Sequence, residues 1–173
     1  TADALRLFEE AGTYFRAHDL KRELAVQLHN EAGVHMARDE VERAMALYVE
    51  ALAIREEAGE KKAIASTLTG LADAYLRMGR VKEARSVLYR ALQLSTEVGA
   101  RNEQMQALLN LSKVHARLND GDSTYWYHAQ YAALRDSVFN ADMNGRLAEM
   151  GARYGSERKE REIGSLNTEA KLR

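Results

Sequence analysis

The sequence contains no cysteine and no proline. Without cysteine there is no disulfide framework, no thiolate metal site and no cysteine nucleophile, although the compartment stays open between cytosol and periplasm. Aromatic residues make up only 7%, whereas Ala, Leu, Glu and Arg abound, a composition that favours helix interiors and starves strands and rigid loops. Charge of one sign is lacking too: 25 Lys and Arg face 26 Asp and Glu, a formal net charge of -1. No global field therefore draws this segment to nucleic acid or anionic lipid. No apolar run approaches the ~18 residues of a membrane span, and Thr1-Ala2-Asp3-Ala4 lacks the basic and apolar sections of a signal peptide. A start without Met and a last stretch still patterned like a helix read as an excised piece of something longer, with room for a membrane span outside this segment.

What is present is enough to fold. The 173 residues are 46% hydrophobic and 29% charged, too apolar for a solvated coil and sized for one domain or one elongated array. The chain repeats itself every 40 residues. Ala4, Ala44, Ala84 and Thr124 share one column, Phe8, Tyr48, Leu88 and His128 the next, and Ala11, Ala51, Ala91 and Tyr131 a third, spaced four and three apart. A second face reads Leu28, Leu68 and Leu108, then Ala32, Ala72 and Ser112, then His35, Tyr75 and His115. Each set is one helical face, so the unit is a helical hairpin.

Between the faces stand Asp39, Gly79 and Asn119, residues that tolerate the left-handed conformation in which one helix stops. Gly59 and Gly99 play the same part after the second helix, before charged restarts at Lys61 and Arg101. Small residues at 32, 72, 44 and 84 let helix axes approach closely. A hairpin this short cannot bury its faces alone, so neighbours must stack into an all-α, right-handed superhelix with a concave wall.

These columns resemble the tetratricopeptide repeat, most completely in Leu68, Ala72, Tyr75, Gly79, Ala84, Leu88 and Ala91. The resemblance implies a solenoid over 1–138, with a half repeat at 1–18 and helix pairs at 21–58, 61–98 and 101–138. The period of 40 exceeds the common ~34 and is similar to that of arrays with longer second helices, in bacterial signalling proteins and kinesin light chains. Over 140–173 the columns stop. Met143, Leu147, Met150 and Tyr154 form a stripe that caps the last hairpin, and Ile163, Leu166 and Ala170 form a short heptad seam, the whole being one long helix with a break near Gly151 or Gly155. The segment around Leu134–Asn140 and Glu157–Ile163 resembles the junction that follows such arrays in sensor histidine kinases. That resemblance implies a bacterial signal-transduction protein of the two-component sensor type, its output domain outside this chain. A diguanylate cyclase, a helix-turn-helix regulator or a purely structural dimerisation spacer are the alternatives.

On the concave wall, the first helices present His29, Asn30, Gly33, Met36, Asp73, Arg77, Leu109, Asn110, Lys113 and Arg117. Asn30 and Asn110 share a column, interrupted by Gly70, and resemble a clamp on the backbone of a bound peptide. Arg77, Lys113 and Arg117 form a basic patch suited to carboxylates. The expected partner is a peptide or protein segment, with homodimerisation through the C-terminal helix as a further contact. His35 and His115 stand in the Tyr75 column, where packing and one hydrogen bond suffice, and no HExxH spacing occurs. With no phosphate-cradling glycine loop and no GxSxG elbow, the expectation is no metal, no cofactor and no catalysis. Of Tyr125, Trp126 and Tyr127, one is expected at the surface.

Overall fold

In the computed structural model, residues 2–171 are described as backbone, and side chains over 6–157 and at Lys159. Seven helices account for them: α1 (Ala2–Ala17), α2 (Lys21–Ala37), α3 (Val41–Glu57), α4 (Lys61–Arg77), α5 (Val81–Glu97), α6 (Arg101–Arg117) and α7 (Gly121–Lys171). The chain divides into two compact units, Thr1–Ala132 and Ala133–Arg173.

The first unit is a right-handed α-α superhelix whose punctuation is finer than the repeat. Every twentieth residue has a positive φ: Asp19 (54°), Asp39 (61°), Gly59 (67°), Gly79 (74°), Gly99 (64°) and Asn119 (57°). Each closes a helix with the same two backbone bonds, as in Asp39 N–H to Met36 O at 3.2 Å and Glu40 N–H to His35 O at 2.9 Å. This is the Schellman arrangement, which satisfies carbonyls that a helix end would orphan. The following residue caps the next helix, as Glu40 does for α3, so a single residue in the left-handed region reverses the chain. Gly, Asp and Asn are the types that reach that region at least cost.

The pair of residues that brackets the turn inside each hairpin, five apart, is matched in chemistry. His35 Nδ1 meets Glu40 at 2.6 Å, the Arg80 guanidinium lies 4.5 Å from the centre of the Tyr75 ring, and His115 Nδ1 meets Asp120 at 3.0 Å. One position thus accepts several chemistries, which is why the repeat is plain in the small residues and blurred here.

First and second helices are each 17 residues long. The period of 40 is shared evenly between them, against the expected longer second helix. Ala32, Ala44, Ala51, Ala65, Ala72, Ala84, Ala91 and Ala107 are fully buried. Around them Leu28, Leu68, Leu88 and Leu111 fill the spaces and are at most 1% exposed. Burying one such leucine contributes about 1.5–3 kcal/mol. One core cluster joins α4, α5 and α6 through Ala72, Leu76, Ala84, Leu88, Leu111 and Val114. Another joins α2, α3 and α4 through Ala32, Met36, Ala44, Tyr48, Leu71 and Ala74. Each helix therefore packs on its neighbours in sequence, and consecutive first helices also touch, α2 on α4 and α4 on α6.

The second unit consists of the remainder of α7. The helix continues through Gly145, Gly151 and Gly155 without the expected break. A glycine inside a helix costs about 1 kcal/mol relative to alanine, and none of the three is crowded or left-handed. Met143, Leu147, Met150 and Tyr154 are exposed, and ion pairs four apart, Asp142–Arg146 (3.0 Å) and Arg153–Glu157 (3.1 Å), flank them. The side chains of Ile163, Leu166 and Ala170, expected as a heptad seam, lie outside the described residues.

Candidate functional site

Because α2 touches α4 and α4 touches α6, the three form one continuous wall in the first unit, and three hollows open along it. A cavity of about 490 Å³ between α1 and α2 is lined by Phe8, Phe15, Val26, Gln27 and Asn30. Between α4 and α6 lie one of about 570 Å³, whose lining includes Arg55, Lys62, Ser66 and Glu103, and one of about 140 Å³ lined by Ser66, Thr69, Asn102, Glu103 and Gln106.

The residues expected on this wall fall into distinct environments. Asn30 is exposed and borders the first cavity. Asn110 is half-buried and accepts a bond from Lys113 Nζ at 3.3 Å, which leaves its amide N–H groups as donors. Asp73 is exposed and pairs with Arg77 at 3.5 Å. Gly33 is exposed, Leu109 half-buried and Met36 in the core.

Arg77 and Arg117 do more than present charge. Arg77 Nη1 donates to Met36 O at 2.7 Å, and Arg117 Nη1 donates to Leu76 O at 2.6 Å. Each guanidinium thus reaches back one repeat to a carbonyl in the last turn of the preceding first helix. A cation there is favoured by the helix dipole as well as by the bond. Their spacing of 40 residues is visible in the sequence, but the carbonyls they reach are not.

His29 is half-buried, edge-on to the Tyr48 ring with centroids 5.3 Å apart, and 3.5 Å from Arg55 Nη1. Burial, with the Arg55 cation beside it, pushes its pKa down to about 4. It is a neutral imidazole whose Nδ1 serves as an acceptor.

Gly70 explains the gap in the asparagine column. A Cβ at this position would meet Cζ, Cε1 and Oη of Tyr48 at 2.6, 2.7 and 2.9 Å. The phenol occupies the space that a side chain would need, so an Asn at 70 is incompatible with a Tyr at 48.

Sequence reasoning missed Arg55. This side chain is 6% exposed, yet its Nε has no hydrogen-bond partner. Its Nη1 donates to Ala63 O at 3.0 Å and to Thr67 Oγ1. The available signal was a column that runs Phe15, Arg55, Ser95: a charge in a position otherwise held by uncharged residues.

Near the end of the first unit, Tyr89 Oη lies 3.0 Å from His115 Nε2, and the His115 ring stacks on Tyr127 at 5.2 Å. Burial, with the hydrogen bond from Tyr89, pushes the Tyr127 phenol up to about 12. Of the aromatic triplet, Tyr127 alone packs inward; Tyr125 and Trp126 are both exposed, one more than expected. Among the described residues no group of three or more His, Asp or Glu could hold a metal ion, and no helix is long and apolar enough to cross a membrane.

The repeat geometry agrees with a family comparison. The tetratricopeptide repeat model matches residues 23–94 and 63–122, more than half of the chain. The protein belongs to the tetratricopeptide repeat family. Tetratricopeptide repeats are generally protein-interaction modules without catalysis of their own. Among solved structures, BtubC (BKLC) from P. vanneervenii is similar over 78% of this chain and 56% of its own, at 20% identity and a TM-score of 0.70. Aspartyl phosphate phosphatase F from Bacillus subtilis matches over 78% of this chain and 35% of its own (16% identity, TM-score 0.73). The tetratricopeptide repeat domain of Arabidopsis FLU matches over 68% and 98% (17%, 0.61). This tetratricopeptide chain therefore spans about half of the first of these and about a third of the second. At such identities the likeness is one of fold. No curated protein matches the chain.

Proposed function

We propose that the wall formed by α2, α4 and α6 binds a segment of a protein partner, in the context of a bacterial signal-transduction protein. The observation that supports this reading is the uncommitted polar lining of the wall. The side chains of Asn30, Ser66, Asn102 and Gln106 make no hydrogen bond among the described residues, and they border hollows between helices. Polar groups that are accessible, unpaired and held on rigid helices give orientation to a bound chain, while Phe8, Phe15 and Val26 supply apolar contact. In this reading the amides of Asn30 and Asn110 engage the backbone of the bound segment. The bacterial context rests on the junction-like residues 134–163 and on bacterial proteins among those that share the fold.

The test is selection of random dodecapeptides on the 173-residue chain, followed by titration of the selected peptides. Asn110→Ala and Asn30→Ala are each expected to weaken binding about fivefold or more, since each leaves backbone groups of the peptide unpaired. Gln106→Trp, which fills the α4/α6 hollow, is expected to weaken it further. Peptides that bind all three variants as tightly as the parent would defeat the reading.

A second reading concerns α7. The exposed stripe Met143, Leu147, Met150 and Tyr154 suits pairing with a second copy, a route by which this helix relays a signal or acts as a dimerising spacer. Sedimentation equilibrium decides it: a dimer that becomes monomeric on Leu147→Glu with Met150→Glu supports pairing, and a parent chain that is monomeric at millimolar concentration refutes it.

A further inference from the structure

Arg55 projects from the last turn of α3 into the 570 Å³ cavity between the starts of α4 and α6. Its three acceptors, Ala63 O, Thr67 Oγ1 and the neutral His29 ring, carry no charge. No carboxylate among the described residues lies within 4 Å of it. Glu60, the carboxylate whose charge reaches Arg55, makes its ion pair with Arg22 at 2.9 Å instead. A guanidinium buried to this degree without a carboxylate in contact is costly, which is why buried cations are found paired.

The rest of the cavity suits an anion. Its floor is the N-terminus of α4, whose cap residue Glu60 makes no side-chain capping bond. Lys61 N–H and Ile64 N–H bond to Gly59 O and Glu60 O, while the amides of Lys62 and Ala63 have no such acceptor. Free first-turn amides and the positive end of the helix dipole favour negative charge. The hydroxyl of Ser66 is unpaired and adds a donor. Lys61, Lys62, Glu60 and Glu103 also border the space: Lys62 stands 3.7 Å from Glu103, while Lys61 and Glu60 are paired with Glu97 and Arg22 outside the lining, each at 2.9 Å. With these largely offset, the excess charge is that of Arg55. The array does not need an arginine here, because α1 and α5 carry Phe15 and Ser95 in the same column.

We propose that the cavity at Arg55, Ser66 and the first turn of α4 binds a compact oxyanion, a carboxylate or a phosphate group. The site shares Ser66 and the α4/α6 hollow with the peptide reading above but requires neither Asn30 nor Asn110, so it can fail or hold independently of their substitution. The test is ¹H–¹⁵N NMR, including the Arg Nε–H region, with inorganic phosphate and acetate titrated separately against chloride at constant ionic strength. The expected result is a saturable shift of Arg55 Nε–H and of the Lys62 and Ala63 amides with at least one anion, weakened tenfold or more by Arg55→Met. Saturation by phosphate alone assigns a phosphate site, and saturation by acetate alone assigns a carboxylate site. Ser66→Glu, which places an internal carboxylate at the rim without touching Arg55, is expected to weaken binding tenfold as well and serves if Arg55→Met does not fold. The absence of saturable shifts for both anions overturns the proposal, as do shifts that survive in the Ser66→Glu or Arg55→Met protein.

Discussion

Gly70→Ala isolates the packing logic of this array in one methyl group. In an exposed helix the change stabilises by about 1 kcal/mol, because alanine has the better helix propensity. Here the new Cβ meets the Tyr48 ring at 2.6–2.9 Å, and Tyr48 is 5% exposed in the core that joins α2, α3 and α4. Such overpacking costs about 1–3 kcal/mol. The clash is with atoms near the tip of a rigid ring, so relief requires moving the α3–α4 pair. The net expectation is destabilisation of about 1 kcal/mol, or roughly 2–4 °C in Tm for a chain of this size. Tyr48→Leu removes the offending atoms and restores the residue that α5 carries at the equivalent position, Leu88. In that background Gly70→Ala should stabilise by about 1 kcal/mol, a coupling of about 2 kcal/mol between the two sites. Urea unfolding of the four proteins of this cycle measures it. If Gly70→Ala stabilises equally with Tyr or Leu at 48, the account of the missing asparagine is refuted.

Gly79→Ala should cost about 1 kcal/mol although its Cβ would meet no atom, because φ is +74°; Asn119→Gly should be neutral or slightly stabilising, and thermal melts compare the two. Arg77→Met should destabilise by about 1 kcal/mol through loss of the bond to Met36 O and raise hydrogen exchange of the last turn of α2. The pH dependence follows from His29. Its folded pKa, about 4, lies below the unfolded value of 6.5, so the unfolded chain binds the extra proton between these values. Stability is fully present above pH 6.5 and falls as the pH drops towards 4. The loss is roughly 2 kcal/mol once partial exposure of the ring is allowed for, and His29→Gln should flatten that slope in unfolding curves taken from pH 7 to 4.

The sequence made the array legible because its packing is written in small residues. Ala44, Ala84, Ala32 and Ala72 recur where axes cross, and Asp39, Gly79 and Asn119 mark the reversals. The twentyfold spacing of those reversals was half visible. Asp19, between α1 and α2, belongs to it, but a single aspartate does not advertise a left-handed φ. Long-range partnerships were beyond one-dimensional reading. Arg77 and Arg117 read as groove cations because nothing local shows that they reach back 41 residues to Met36 O and Leu76 O. Gly70 read as a lost contact because Tyr48 lies on another helix. Arg55 is not evident because its peculiarity is burial without a carboxylate in contact, which no pattern of residue types records. The glycines at 151 and 155 were given too much weight as breakers: inside a long helix their cost is about 1 kcal/mol each, less than its neighbouring turns supply.

The central claim is that the hairpins stack in sequence, each packing only on its neighbours. Methyl NOE spectroscopy tests it most directly. The account predicts cross-peaks from Leu111 and Val114 of α6 to Leu88 and Ala84 of α5 and to Ala72 of α4. It predicts none from Leu24 or Leu28 of α2 to Leu111. Cross-peaks between α2 and α6 would show a closed bundle and contradict the account.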